Sequence, residues 1–456
     1  MSYNFLPCNR DQAYLLPPSV GDWLPEEHLA WFVIDAVEQM DLSGLYAPYR
    51  ADGWGAAAFD PKRMTTRLWY AYGMGERSSR RIEMLCERDI AFRVIAANQR
   101  PDHSTIARFR QQNGPALEGL FVEILRLCAE AGRVKLGVVA LDGTKIKASA
   151  ALSANRTAGA LEEEVRRRLS EAQEADAKED ARYGKDLRGD ELPPDLQGRP
   201  SRLARLKECR ERLSREASEK AAEQARKIEA RQAEEAATGR KKRGRKPKEP
   251  EASVSEEAKA NVTDPQSRVM KTAKGCVQGY NAQAVTTADQ ILVAADVTPE
   301  ANDVGQPVGM LGQAQSNAQA VGLAEKIGVG LMDAGYWSDA NAAALSGPDL
   351  PEIFIATTKD WKQRKALREG SAPRGRIPKR LGARERMERK LLTQRGRALY
   401  RLRSQTIEPI FGQIKAVRRC DRFMRRGREA ARSEWRLIGC AHNLLKLFRS
   451  GKARWN

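Results

Sequence analysis

The stretch VVALDGTKIKASA, from Val138 to Ala150, decides the fold. Its first four residues are apolar, Asp142 follows them directly, and the chain then alternates between apolar and polar residues. This pattern predicts a β-strand that is buried at its start and half-buried further on. An ionised carboxylate inside a buried strand is costly unless it is paired or binds a metal ion, so Asp142 is the first candidate for a functional residue.

Strand signals return more than a hundred residues later. GYNAQAVTTADQILVAADVTP, residues 279–299, predicts two strands joined by a turn at Thr287-Ala288-Asp289. A helix is predicted over residues 303–318, a short buried strand ends at Asp333, a capped helix starts near Ser338, and EIFIATT, residues 352–358, predicts a further buried strand. Strands that alternate with crossover helices indicate an α/β fold with a mixed sheet and flanking helices.

Residues 152–262 interrupt this sheet. They are rich in Ala, Glu, Arg and Lys, which favour helices. A thin apolar seam predicts a helical hairpin or coiled coil, through Leu203, Leu206, Leu213, Ala217, Ala221 and Ile228. The insertion ends in KRGRKPK, which resembles the core of an AT-hook, with Arg243, Arg245 and Lys246 beside Gly244. The alternative is a flexible linker that contacts DNA phosphates without sequence preference.

Residues 1–132 show apolar residues at helical spacing and predict an all-α domain. Asp102 or Ser104 can cap its last helix, which then carries Arg108 and Arg110. A basic helix after a tight turn suits a DNA-binding helix-turn-helix. A helical bundle with a solvated basic face explains the same pattern.

The composition favours an anionic partner. The chain has a net charge of +19 and a pI of about 9.7, and nucleic acid is the commonest partner of so basic a protein. The segment from Lys359 to Arg403 alone holds 17 Lys/Arg against four Asp/Glu. Seven cysteines without a CxxC pair and only three histidines argue against a disulfide frame, a zinc site or a Ser-His-Asp triad. The lack of a long apolar run or a signal-like N-terminus predicts a cytoplasmic protein.

Two further carboxylates stand out beside Asp142. Asp333 ends the apolar run VGLM, and Glu408 lies in the basic stretch SQTIEPIFGQIK, seven residues before Lys415. Three carboxylates offer only oxygen ligands, which suit two Mg²⁺ or Mn²⁺ ions and phosphoryl transfer. A strand-end cap or a salt bridge explains each acid alone, and Glu434 is a rival for the third position.

DGTKIKA, LMDAGYWSDAN and YRLRSQTIEPIFGQIK together resemble the three catalytic blocks of bacterial insertion-sequence transposases of the DDE type. The resemblance implies a ribonuclease H-like catalytic domain over residues 133–151 and 263–456. It would place Asp142 on the first strand, Asp333 at the end of the fourth, and Glu408 on a late helix. It also implies that Tyr400, Arg403 and Lys415 orient DNA phosphates. The gap from Arg403 to Glu408 is one residue longer than in the tightest form of this signature. PDHSTIARFRQQN resembles the N-terminal DNA-binding region of the same group.

The activity implied by this resemblance is DNA transposition. Such an enzyme binds the terminal inverted repeats of its element, cuts there with two Mg²⁺ or Mn²⁺ ions, and joins the 3′-hydroxyl to target double-stranded DNA as a homodimer or larger assembly. Gly143 would leave space beside the ions, and Gly335, Tyr336 and Trp337 would shape the site, although core packing explains the two aromatic residues equally well. A metal-dependent nuclease of the same fold, and a non-enzymatic DNA-binding regulator or inactive relic, are the alternatives.

Overall fold

The computed structural model describes residues 19–49, 57–168, 202–241, 247–273, 275–358 and 380–451, with isolated positions between them (170, 244, 360, 365, 369, 371–373, 375, 376 and 378). Arg243, Arg245 and Lys246, which we predicted to contact DNA, lie outside the described residues. Most of the basic run between residues 359 and 379 lies outside them as well.

The strands form one large mixed sheet and one small one. Their bounds are β1 Val138–Lys147, β2 Asn155–Thr157, β3 Lys259–Asn261, β4 Arg268–Thr272, β5 Gly275–Thr287, β6 Leu292–Thr298, β7 Val329–Met332 and β8 Glu352–Ile355. In the large sheet, β1 lies between antiparallel β5 and parallel β7, and β8 continues in parallel beyond β7. The long strand β5 also pairs with β4 and β6, while β2 and β3 pair only with each other.

The sequence patterns account for this sheet. The apolar start of β1 is buried, with Val139, Ala140 and Leu141 fully enclosed, and the strand becomes half-buried after Leu141. The predicted hairpin is confirmed as β5 and β6, whose connection places Gln290 in the left-handed region with φ of 62°. The parallel neighbour β7 is reached through a helix, as parallel pairing requires. The mixed α/β class is therefore confirmed.

The helices are α1 Leu29–Glu38, α2 Ser43–Tyr46, α3 Pro61–Gly73, α4 Ser79–Arg88, α5 Ile90–Ile95, α6 His103–Gln112, α7 Gly114–Glu130, α8 158–168, α9 Arg202–Thr238, α10 Pro307–Ala320, α11 Asp339–Ala344, α12 Ala383–Leu392, α13 Gln394–Thr406, α14 Glu408–Gly412 and α15 Arg428–Ser450. A π-helical turn, Gln413–Val417, follows α14. The predicted caps of α6 and α11 are confirmed, since Asp102 accepts from Thr105 N and Ser338 accepts from Asn341 N. In the part of the chain that the structure describes, no helix has the length and apolarity that crossing a bilayer requires.

Helix α15 joins the N-terminal helices to the sheet. Its Gly439 lets Phe121 of α7 and Leu292 of β6 approach closely, because a Cβ there would lie 3.1 Å from the Phe121 ring. Asn443 holds the edge of β6 by accepting from Leu292 N at 2.8 Å and donating to Leu292 O at 2.9 Å. Buried side chains of α1 to α7, the sheet and α15 therefore form one continuous hydrophobic core.

The insertion has a small core of its own. Leu161 and Val165 of α8 pack with Leu206, Cys209 and Leu213 of α9. The strands β2 and β3 pair at the two ends of this segment, and Asn155 of β2 donates to Gln278 Oε1 of β5 in the large sheet at 3.0 Å. Helices α8 and α9 thus occupy part of the insertion and pack against each other, and the helical hairpin or coiled coil stays a prediction.

Candidate active site

Asp142 and Asp333 lie side by side on neighbouring strands. β1 and β7 run in parallel with Leu141 opposite Met332, so the two aspartates that follow these residues are adjacent. Asp142 Oδ1 accepts a hydrogen bond from Gly143 N at 2.8 Å, and Asp333 Oδ1 accepts one from Gly335 N at 2.7 Å. Backbone N–H groups therefore orient both carboxylates, which lie next to each other where β7 ends.

Arg403 of α13 connects this pair to Glu408. Its Nη1 lies 3.3 Å from Asp142 Oδ2 and 3.1 Å from Glu408 Oε1. Glu408 is the first residue of α14, where Pro409 follows it and the helix N-terminus stabilises a negative charge. Arg403 thus pairs directly with Asp142 and Glu408, while Asp333 lies beside Asp142 on the neighbouring strand.

Burial dominates the electrostatics of Asp142. Its loss of hydration raises its pKa from 3.8 to about 7, the charge of Arg403 opposes this, and the negative charges of Asp333 and Asp303 add to the rise. For Arg403, burial lowers the pKa, but the Asp142 carboxylate and other neighbours outweigh it, so the net pKa is raised. A raised carboxyl pKa beside further carboxylates is typical of a site that holds a cation.

Tyr400 and Lys415 have different partners from the carboxylates. The Tyr400 hydroxyl donates to Met332 O at 3.1 Å, at the end of β7. Lys415 Nζ donates to Thr144 Oγ1 at 3.0 Å and to Lys145 O at 2.9 Å. On a regular α-helix, a spacing of seven residues would place Lys415 on the same face as Glu408. Lys415 instead lies in a π-helical turn, a form often found at functional sites. Lys415 therefore lies against β1, and its pKa is lowered by burial.

Asp303 is a fourth acid at this site that sequence reasoning missed. Its Oδ1 accepts from Asn281 Nδ2 at 2.7 Å and from Gln283 Nε2 at 2.8 Å, and Lys145 Nζ lies 3.7 Å away. In the sequence Asp303 stands in a polar segment before a helix, where an acid is ordinary. The available signal was the pair Asn281 and Gln283, two buried amides on one face of a predicted strand.

Gly143 leaves the space in which this cluster fits. A Cβ at this position would lie 2.7 Å from Asp303 Oδ1 and 2.8 Å from Asn281 Oδ1, and would also strike the amide of Gln283. Asn281 and Gln283 are fully buried and cannot swing away. The buried Tyr336 also donates to Gln283 Oε1, at 2.5 Å, so both core packing and site shaping describe its role.

We expect Gly143→Ala to lower the free energy of unfolding by about 1–3 kcal/mol, because overpacking forces buried side chains off their rotamers. Urea denaturation measures this change. Gly137→Ala, in the loop before β1 where a Cβ would meet only Glu325 Oε1 at 3.9 Å, is the matched control. Equal stability of the two variants would contradict the tight packing around Gly143.

Glu434, the rival third acid, lies elsewhere. It is fully buried and accepts from Arg77 Nη1 at 3.1 Å, Met424 N at 2.9 Å and Arg425 N at 3.1 Å. His442 is also buried, with Nε2 3.0 Å from Gln290 O, and burial followed by the charge of Arg418 lowers its pKa to about 3. The buried side chains of Glu434 and His442 therefore connect segments of the fold through hydrogen bonds.

The two arginines predicted on the DNA-contacting helix have different environments. Arg108 is exposed on α6. Arg110 is buried, and its guanidinium donates to Tyr72 Oη at 3.2 Å, to Arg77 O at 2.9 Å and to Ser79 Oγ. The expectation for Arg110 needs correction, because these internal contacts leave no face of its guanidinium for a phosphate.

The ligand chemistry of the site suits a divalent cation. Asp142, Asp333 and Glu408 offer oxygen ligands only, which Mg²⁺ and Mn²⁺ prefer. Arg403 supplies the positive charge between two of them. Among the residues that the structure describes, no three acidic, His or Cys side chains are grouped as ligands of one ion. A three-carboxylate ion site would therefore require Glu408 to exchange Arg403 for the ion.

Two family models match separate parts of the chain. Residues 18–112 match the family model of a Transposase domain (DUF772), and residues 371–448 match that of a Transposase DDE domain. Together, the two matches support an insertion-sequence DDE transposase. The resemblance to insertion-sequence transposases predicted from the three sequence blocks is thereby confirmed. No curated protein and no solved structure matches this chain.

The match to the DDE domain covers the third of the three sequence blocks. Tyr400, Arg403, Glu408 and Lys415 fall within residues 371–448. The first two blocks lie outside both matched ranges, so their assignment depends on the geometry around Asp142 and Asp333.

Proposed function

We propose that this transposase binds the terminal inverted repeats of its insertion sequence, cuts the DNA at those ends and joins the freed 3′-hydroxyl to target double-stranded DNA. The observation that carries the proposal is that Asp142 and Asp333 lie on neighbouring strands and that Arg403 connects Asp142 to Glu408. The positive net charge of +19 supports a DNA partner. Because two ends must be held together, we propose at least a homodimer on DNA.

We further propose that the large sheet is ribonuclease H-like. The strand order supports this, since β1 carries Asp142 at its centre and is flanked by the antiparallel β5 and the parallel β7. The second acid follows β7 and the third begins a late helix, as the resemblance implies.

Transposase DDE domains use divalent metal ions, and in this chain Asp142, Asp333 and Glu408 would hold two Mg²⁺ or Mn²⁺ ions. When bound, such ions activate the attacking oxygen and stabilise the leaving oxygen at phosphorus. Arg403, released from Glu408, would orient a phosphate through its planar donors. Tyr400 and Lys415 fix the ends of β7 and β1, and Lys415 would add a positive charge beside the DNA.

The test uses labelled DNA that carries the ends flanking the gene, with Mg²⁺ present. We expect wild-type protein to cut and join these ends, and Glu408→Gln to lose at least about a hundredfold in rate, since even groups that only support a metal ligand contribute 10–100-fold. DNA binding by Glu408→Gln should persist.

Glu429→Gln is the matched control, because Glu429 is an exposed acid in the same matched domain and pairs only with Arg432 among the described residues. Its activity should equal that of wild type. Cutting of unrelated DNA at the same rate, without joining, would contradict the proposal in favour of a nuclease. Full activity in Glu408→Gln would remove Glu408 from the site.

A further inference from the structure

A loop rich in arginine continues the edge of β1. We call residues 418–427 the arginine loop. Lys147 N, at the end of β1, donates to Asp421 O at 3.0 Å, and Phe423 N donates to Lys147 O at 2.7 Å. Lys147 thus pairs with Arg422 as a parallel bridge. The loop is therefore fixed to the same strand that carries Asp142.

Buried side chains hold the arginine loop from beneath. Arg77 donates to Arg419 O at 2.9 Å and also to Arg422 O. Glu434 accepts from the backbone of Met424 and Arg425. Because the loop is pinned at four backbone positions, its exposed side chains project from a rigid base.

One residue of the arginine loop has a strained backbone. Arg419 has a φ of 55°, in the left-handed region that costs a non-glycine residue about 1–2 kcal/mol. Such strain persists only where surrounding contacts enforce it, and it concentrates at binding sites. The hydrogen bond from Arg77 to Arg419 O supplies that enforcement here.

The outer surface of the arginine loop combines free positive charge with apolar side chains. Arg419 and Arg422 are exposed, and within the described residues their guanidinium groups have no hydrogen-bond or ion-pair partner. The single acid of the loop, Asp421, pairs with Lys147 Nζ at 3.1 Å. Met424 is 44% exposed, and Val417, just before the loop, is 74% exposed. This combination suits a polyanion that also offers apolar edges, as the DNA backbone and grooves do.

The distance along β1 locates the arginine loop relative to the carboxylates. Five residues separate Asp142 from Lys147, which at roughly 3.3 Å per residue is about 17 Å. A duplex advances about 3.4 Å per base pair, so it covers this distance in about five base pairs.

We propose that the arginine loop is a docking surface for duplex DNA. Arg419 and Arg422 bind backbone phosphates about five base pairs from the bond that is cut, and Met424 contacts a sugar or base edge between them. The position of the cut bond rests on the proposed function, whereas the docking surface does not.

The test measures equilibrium binding of a 30-base-pair duplex, without divalent metal, over a range of salt concentrations. The variant Arg419→Asn/Arg422→Gln removes both charges, and asparagine tolerates the left-handed backbone at position 419. We expect an affinity loss of roughly tenfold per arginine at 0.1 M salt and a salt slope that is less steep by about 2, since each phosphate contact contributes about 0.9. Lys135→Gln, an exposed charge just before β1, should leave the slope unchanged. An unchanged slope in the double variant would overturn the proposal.

Met424→Ala separates the apolar contact from the charges. We expect it to weaken binding severalfold without changing the salt slope, because no counterion is released by an apolar contact. If Met424→Ala changes the salt slope, or binds DNA as tightly as wild type, Met424 is not part of the DNA-binding surface.

Neutral methylphosphonate groups, placed one at a time along the duplex, locate the contact. Neutralising the phosphates about five base pairs from the cut should weaken wild-type binding about tenfold and leave the double variant unaffected. If the methylphosphonate groups weaken binding of the double variant as much as they weaken binding of wild type, the two losses of affinity are independent and the proposal is overturned. If the double variant binds DNA more weakly but the wild-type protein never cuts DNA, the docking surface stands and only the proposed function is refuted. A change in self-association without a change in DNA affinity would instead assign the surface to a second copy of the chain.

Discussion

Asp142→Asn should abolish DNA cutting and at the same time stabilise the metal-free protein. We expect a rate loss of more than about a thousandfold, because groups that only support a metal ligand already contribute 10–100-fold. Asparagine keeps the shape of the side chain and can still accept from Gly143 N, so DNA binding should remain. The measurement is cutting of labelled transposon ends with Mg²⁺.

The stabilisation follows from the raised pKa of Asp142. Burial raises this pKa from 3.8 to about 7, so the folded protein binds a proton that the unfolded chain has released. The resulting destabilisation is absent below pH 3.8, grows up to pH 7, and is constant above that. At about 1.4 kcal/mol per pH unit it reaches about 4 kcal/mol at most. Asp142→Asn removes it.

Urea denaturation in EDTA at pH 5 and pH 8 measures this effect. The gain in stability of Asp142→Asn over wild type should be larger at pH 8. Saturating Mg²⁺ should stabilise wild type but not the variant, because a ligand that binds only the folded state adds stability. Asp296→Asn, an acid on β6 that accepts from its neighbour Val297 N as Asp142 does from Gly143 N, is the control. If Asp142→Asn is less stable than wild type at pH 8, the stabilising free energy of the ion pair between Asp142 and Arg403 exceeds the cost of burying the carboxylate.

Arg77→Met should be the most destabilising substitution outside the site. The side chains of Arg77 and Glu434 are 8% and 0% exposed, and they form an ion pair at 3.1 Å. Removing one partner of a buried pair leaves an uncompensated charge and costs about 3–5 kcal/mol. Arg77 also binds the carbonyl groups of Arg419 and Arg422, so its loss frees the arginine loop as well.

The pH dependence identifies the cause of this loss. Burial raises the pKa of Glu434, and without Arg77 the carboxyl would take up a proton still more readily. A carboxyl whose folded pKa is raised destabilises the protein increasingly as pH rises, so the deficit of Arg77→Met should be smaller at pH 5 than at pH 8. Adding Glu434→Gln to Arg77→Met should recover part of the loss. Arg108→Met, at an exposed arginine, is the control, and a deficit independent of pH would assign the effect to lost hydrogen bonds alone.

The elements of the sheet were largely predictable because their patterns are local. An apolar run with β-branched residues predicted β1, and the turn after Thr287 predicted the hairpin of β5 and β6. The cap at Ser338 predicted α11, since a capping side chain bonds to backbone three residues away. The π-helical turn that contains Lys415 was not predictable, because it depends on how that segment meets β1.

The sequence predicted the carboxylates of the candidate site but not the other side chains that contact them. Asp142 and Asp333 stood out because each follows an apolar run. Asp303 did not stand out, because its place in the site depends on hydrogen bonds from the side-chain amides of Asn281 and Gln283 on β5. Arg110 illustrates the reverse case, because its position on an amphipathic helix did not reveal that Tyr72 and Ser79 enclose it.

The sequence by itself determined the type of most helices and of the strands β1, β5, β6, β7 and β8, together with the acids that end or interrupt them, because these follow from hydrophobic period and local capping. The short strands β2, β3 and β4 were not predicted. Only the tertiary structure decided which charges meet. Arg403 lies between Asp142 and Glu408, and Arg77 neutralises Glu434, because packing brings distant segments within ion-pair distance. The energy of a buried charge depends on its partners and its loss of water, and neither is fixed until the chain has folded.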